Sequence, residues 1–277
     1  MGDGLLEQTA GIVKRMLGDE VESLTVERAV FGLFFSGVKL ADGCGGICFT
    51  PIKELPEAVC CPSSARAMPL SGRLARRPVL SYLDDLNSAN ILRKTLAIAT
   101  LNALSVSLWK KHPPQRYQLQ TGIDAFDAIA IPEEGQTVVV GALTPILKRL
   151  LAKKAAFTVL ETDRRTLKGK ELEHYAPAEE ARRFVPHADL LVITGTTLLN
   201  DTLEGLLDLA KPDAKILVAG PTASMIPDAF FERGVGVLGG VLVTDPDALL
   251  DTLSEAGSGY HFFESSAQRL LIENEAR

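Results

Sequence analysis

Several strong signals are missing from this chain, and each absence narrows what it can be. No apolar run approaches the ~20 residues of a membrane span, so no membrane partner is expected. No G-x-G-x-x-G occurs after a strand-like segment, which disfavours classical NAD binding. No His-x-x-x-His occurs either; His112, His174, His187 and His261 are scattered and read as loop or surface residues. A basic surplus is also absent. The net charge is −6 and the pI about 5.4, whereas phosphate backbones require a dense positive surface, so nucleic acid is excluded as a partner. The clusters Arg73-Leu74-Ala75-Arg76-Arg77 and Lys148 to Lys154 read as solvated faces. The start, Met1-Gly2-Asp3-Gly4-Leu5-Leu6-Glu7, has neither the basic region nor the long apolar segment of a signal peptide. A cytoplasmic protein is expected.

Cysteine is scarce and confined to one window: Cys44, Cys48, Cys60 and Cys61. The spacing is C-x-x-x-C followed by C-C, not the paired C-x-x-C of zinc ribbons. The four are therefore not expected to form one closed tetrahedral zinc site. If a soft metal binds, adjacent Cys60 and Cys61 need the least rearrangement to approach one ion.

With 277 residues and 46% hydrophobic content, the chain can bury a substantial core. Leu5, Leu6, Ile12, Val13, Met16 and Leu17 recur at helical period up to Gly18. From Val21 to Leu40, and again at Ile47 to Thr50, the pattern is that of an antiparallel meander. Prolines at 51, 56, 62, 69 and 78 predict irregular chain. Ser88 to Lys111 reads as one long apolar helix lying across a sheet, ended by His112-Pro113-Pro114. Beyond it, Val138 to Val140, Phe157 to Leu160, Leu190 to Ile193, Ile216 to Ala219 and Gly236 to Leu238 alternate with helical segments. That alternation predicts a parallel sheet with helices on both faces. The expected fold is therefore α/β: an α+β unit over 1–115 and a parallel-sheet unit over 116–277, with 116–132 as connector.

Ligands of open α/β sheets lie beyond the carboxyl ends of the strands. Gly141-Ala142-Leu143-Thr144-Pro145 ends one strand, with Thr144 as a potential helix cap and the free amides of the helix start as an anion site. Glu161 lies twenty residues after Gly141, where dinucleotide folds place the acid that holds a ribose. Thr194, Gly195, Thr196 and Thr197 add a glycine and three hydroxyls, and Asn200 or Asp201 can cap the next helix. Gly220-Pro221-Thr222 and Gly239-Gly240 extend the same edge.

These runs in order, Val139-Val140-Gly141, Ala188-Asp189 through Thr194-Gly195-Thr196-Thr197 to Asn200-Asp201-Thr202-Leu203, Gly220-Pro221-Thr222 and Gly234 through Gly239-Gly240 to Asp245-Pro246, resemble the heavy-metal chelation family of bacterial and archaeal proteins. In the first half the likeness rests on Gly45-Gly46, Thr50-Pro51 and Ala97 to Ala103. The resemblance implies an enolase N-terminal-like domain followed by a Rossmann-like domain, a ligand site in the cleft between them, and heavy-metal binding. An enolase activity is not implied, because that chemistry belongs to a barrel this chain lacks. The resulting candidate ligand-binding set is Gly45, Gly46, Asn102, Gly141, Thr144, Glu161, Gly195, Thr196, Asn200, Gly220, Thr222, Gly239 and Gly240, with Cys60 and Cys61 as metal candidates. Two functions compete: binding of a heavy-metal ion or a metal-chelating small molecule, and an enzyme or binding protein for a small anionic or nucleotide-like ligand. A third possibility is a non-catalytic scaffold. The residues do not say whether a reaction is catalysed, and a homodimer is the default assembly.

Overall fold

The computed structural model describes residues 4–55, 70–263 and 265–274. Helix α1 (Leu5–Leu17) leads into an antiparallel sheet of β1 (Thr25–Phe31), β2 (Phe35–Leu40), β3 (Gly45–Phe49) and the two-residue β4 (Arg77–Pro78), in the order β3-β2-β1-β4. Helix α2 (Ile91–Lys111) follows. Asn90 caps it by accepting from the amides of Leu92 and Arg93, Lys110 and Lys111 complement the dipole of its last turn, and the prolines beyond His112 prevent its continuation.

The second sheet contains β5 (Tyr117–Thr121), β6 (Thr137–Val140), β7 (Phe157–Glu161), β8 (Tyr175–Pro177), β9 (Leu190–Thr194), β10 (Lys215–Ala219), β11 (Val237–Val243) and β12 (Ala267–Asn274). Its order is β5-β12-β11-β10-β9-β6-β7-β8. The six strands from β11 to β8 are mutually parallel, while β12 and β5 add antiparallel pairs at one edge. Winding runs outward from β6 through β7 to β8, then outward from β9 through β10 to β11, so its direction reverses between β6 and β9. The expected connector thus already carries an edge strand of this sheet. Neither β5 nor β12 stands out in sequence, because Gln118, Gln120, Gln268 and Arg269 interrupt their apolar pattern.

Strand alternation sorts side chains between two faces. In the second sheet, Val138, Val140, Leu191 and Ile193 join one core with Leu203, Leu206 and Leu207 of α4 (Leu203–Leu209). Val139, Leu190 and Val192 join another with Ile146, Leu147 and Leu150 of α3 (Thr144–Lys153). In the first sheet, Val38, Leu40 and Cys48 face the core that contains α2, whereas Ile47 and Phe35 pack with Leu249, Leu250 and Leu253 of α5 (Pro246–Ser254). A helix from the end of the chain therefore covers the outer face of the first sheet.

Helix α2 is the common layer. Of its 21 residues 17 are buried, and Leu96, Ile98, Leu101 and Leu104 are wholly enclosed. By length and composition it could cross a membrane, contrary to the reading that no segment reaches that size, but 89% of its most apolar stretch is buried inside the protein. It is so apolar because it has sheet on one side and the core of the second unit on the other.

Candidate functional site

A pocket of about 620 Å³ opens at the carboxyl ends of β6, β7 and β9. That size suits a small organic ligand. Gly141, Glu161, Thr196 and Asn200 of the expected set line it, and the described lining residues all lie between positions 140 and 209. Four carboxylates, those of Glu161, Glu179, Asp201 and Asp208, face it against the single guanidinium of Arg182.

Gly141 has φ +95°, a conformation that strains any other residue, and a Cβ there would lie 2.8 Å from Thr194 Cγ2. It turns the chain sharply so that the β6 end opens onto the pocket. The amides that follow do not form the expected anion site. Ala142 N donates to Glu161 Oε2 at 2.9 Å, Leu143 N to Gly141 O and Thr144 N to Ala142 O. Thr144 does not cap α3 either; the cap position belongs to Leu143, which has no side-chain hydrogen bond to the helix, and Thr144 is exposed. The sequence offered the right residue types, but the chain tightens into successive short turns that consume the donors.

Glu161 is held firmly. Its Oε1 accepts from Thr162 N, Thr162 Oγ1 and Asp163 N, and its Oε2 from Ala142 N. Asp163, two residues on, is kept well below the usual carboxylate range by hydrogen bonds from Arg165 and then from Lys53. Lys53 belongs to the first unit, so this ion pair ties that unit to the rim of the β7 end.

Thr194 turns its hydroxyl back to accept from Thr196 N, and the Thr194 and Thr196 hydroxyls lie 3.2 Å apart. Thr197 is buried and donates to Thr194 O, which makes it a structural hydroxyl. Asn200 Oδ1 accepts from Thr202 N and Thr202 Oγ1, so it braces the start of α4, whose cap residue Thr202 makes no side-chain bond to the helix amides. Asp201 adopts φ +58° and pairs with Lys94 of α2. The Lys94 side chain is only 2% exposed while that of Asp201 is 75% exposed. A buried ammonium needs a partner, and this need pins one wall of the pocket to α2.

The other expected residues separate from this pocket. Gly220, Gly239 and Gly240 line a second one of about 240 Å³, with Phe35, Phe126, Phe262 and Phe263. Gly45, Gly46, Asn102, Gly195 and Thr222 form a buried seam between the two sheets. A Cβ on Gly46 would sit 2.1 Å from Ala99 O, and one on Gly45 2.7 Å from Val243. Gly195 closes against Thr222 and Ala223. Asn102 Nδ2 lies within donating distance of Ile47 O, Pro221 O and Thr222 O, while Thr222 Oγ1 accepts from Phe49 N. These residues fasten β3, α2 and the loop after β10 together. The single cleft expected for the whole set is thus two pockets with a packed seam.

Thr162, Glu179, Arg182 and Asp208 also line the main pocket but are not in the expected set. Glu179 and Arg182 follow β8, a strand of three residues with no periodicity to betray it.

The described residues do not fit a heavy-metal centre. Among them no three His, Cys, Asp or Glu side chains come together as a metal-binding group. Cys44 and Cys48 are buried, and burial pushes the Cys48 thiol up to about 12, which disfavours the thiolate a soft metal needs. Cys60 and Cys61 lie outside the described residues.

Two family models match the chain, one over residues 124–272 and the other over 14–105, and both are described as "Putative heavy-metal chelation". An uncharacterized protein of Methanocaldococcus jannaschii is 26% identical over 195 residues, covering 70% of this chain and 71% of its own. Two crystal structures of proteins with unknown function share the fold. The one from Pyrococcus horikoshii superposes with a TM-score of 0.76 at 21% identity, over 98% of this chain and 100% of its own. That from Desulfitobacterium hafniense gives 0.72 at 19% identity, over 97% and 100%.

Proposed function

The chain belongs to that heavy-metal chelation family, and from this premise we propose that it binds a small organic molecule in the pocket beyond β6, β7 and β9, a metal entering only as part of such a ligand. The observation that carries this reading is the convergence of Gly141, Glu161, Thr196 and Asn200 from separate strand ends on one cavity of about 620 Å³. The strand order β8-β7-β6-β9-β10-β11 supports it. Counted from β6 it reads 3-2-1-4-5-6, the order of sheets that bind ligands where the winding reverses. We accordingly read residues 116–277 as Rossmann-like, and residues 1–115 as enolase N-terminal-like from the family resemblance.

Direct chelation by the protein finds no support among the described side chains. An anionic ligand is disfavoured too: with Asp201 paired to Lys94, three carboxylates still face one guanidinium and repel negative charge. The ligand that fits is neutral or cationic and rich in hydroxyl or amino donors. A thermal-shift screen of metabolites, each with and without divalent metals, tests the proposal, since ligands of the native state raise the melting temperature. Thr196→Val is expected to weaken binding of a hit by about tenfold while leaving the melting temperature of the free protein nearly unchanged, because this half-buried loop hydroxyl supplies a hydrogen bond but little core. A bare metal ion that stabilises the protein without any organic ligand would overturn it.

A further inference from the structure

Taking that pocket reading as its basis, we infer that the ligand is a nucleoside without a phosphate group, bound with a ribose hydroxyl on Glu161. In sheets wound in this order, the acid at the end of the second strand accepts from the ribose, and the turn after the first strand holds the pyrophosphate. The first half of that arrangement is present. Glu161 closes β7, twenty residues beyond Gly141 at the end of β6, and both line the pocket. The room for a further donor is at Oε2: each carboxylate oxygen offers about two lone-pair sites, three donors crowd onto Oε1, and Oε2 accepts from Ala142 N alone among the described residues. Glu179, Arg182, Asp201, Leu206 and Asp208 line the same cavity. A base attached to the ribose has this space to enter, with carboxylates to receive its amino or imino groups.

The second half, the phosphate cradle, is dismantled. Where the dinucleotide turn has its second and third glycines, this chain has Leu143 and Ile146, the latter fully buried. The amides of Ala142, Leu143 and Thr144, which would point at a phosphate, are taken by Glu161 Oε2, Gly141 O and Ala142 O. Glu161 itself therefore occupies an amide that a phosphate oxygen would need, and the acidic lining adds repulsion. Retention of the ribose acid with loss of the phosphate donors selects nucleosides over nucleotides and dinucleotides, including nucleosides that carry a positive charge.

The test is calorimetric titration of the full chain with adenosine, guanosine, cytidine and uridine, followed for the best of them by its 5′-monophosphate and its 2′,3′-dideoxy form. We expect saturable one-to-one binding of at least one nucleoside. The monophosphate and the dideoxy form should each bind at least about tenfold more weakly, the cost of an unfavourable charge or of one lost charge-assisted hydrogen bond. Glu161→Gln should shrink the dideoxy discrimination, and the wild-type comparison stands even if that variant is unstable. A monophosphate that binds as tightly as the nucleoside, or a dideoxy form that binds equally well, overturns the inference. A parallel NMR fragment screen separates the two levels of the argument. Fragments that shift the Gly141 and Thr196 amides while no nucleoside does so leave the pocket reading intact and sink the nucleoside; if no small molecule shifts them, both fall.

Discussion

Asn102 shows how a residue can look like a ligand contact and be something else. Its amide nitrogen reaches carbonyls from β3 and from the loop after β10, and the residue is 1% exposed. Replacing it with leucine leaves those buried acceptors without their donor. A loss of about 2–3 kcal/mol is expected in urea unfolding; a loss below half of that would show that the seam does not depend on it. Cys48 supports a prediction of the opposite kind, about pH. Burial, the largest cause, raises its thiol from the ordinary value of 9.0 to about 12, so the native state holds the proton more tightly than the unfolded chain does. The associated stability is fully present below pH 9 and is lost as pH rises towards 12. Unfolding curves recorded between those limits should fall more steeply for the wild type than for Cys48→Ala. Equal slopes would show that the thiol is not desolvated.

Among the elements, α2 does the most to position the site, for Lys94 holds Asp201 at the pocket wall and Asn102 holds the seam. Its first turn depends on Asn90, which satisfies two amides that the helix cannot pair internally. Asn90→Ala is expected to cost about 1 kcal/mol, measurable as a lowered denaturation midpoint at unchanged slope, and Asn90→Asp to recover most of it. This helix was legible in sequence within three residues at its start and to the residue at its end, because apolar periodicity and a double proline are local signals. Five of the six parallel strands were equally plain, as apolar runs such as those of β6 and β9, but three-residue β8 was not. The edge strands β5 and β12 were not: half-exposed antiparallel strands with glutamine and arginine in them look like loop until a partner is in place.

At the scale of the molecule, the division at residue 115 is less a boundary than a change of pattern. One core runs from Val38 and Leu40 through α2 to Val138, Ile193 and Val218, and the outer face of the first sheet is covered by α5 from the far end of the chain. We therefore expect a single cooperative transition in calorimetry, with the fragment 1–115 unable to fold alone, since it would expose the surface that Leu249, Leu250 and Leu253 cover. Two resolved transitions, or dispersed amide spectra from that fragment, would refute this. By itself the sequence determined the long helices, five of the six parallel strands, the α/β class, and the ends of β6, β7 and β9 from which most of the pocket is built. Hydrophobic periodicity and turn residues act within a few positions of themselves, so these features can be read locally. Only the tertiary structure decided that Gly46, Asn102 and Thr222 are a packed seam, that Gly220, Gly239 and Gly240 line a separate pocket, and that the amides after Gly141 are already taken. Whether a polar group faces a ligand or another part of the chain depends on partners 19 to 120 positions away, and no local pattern records where those partners come to rest.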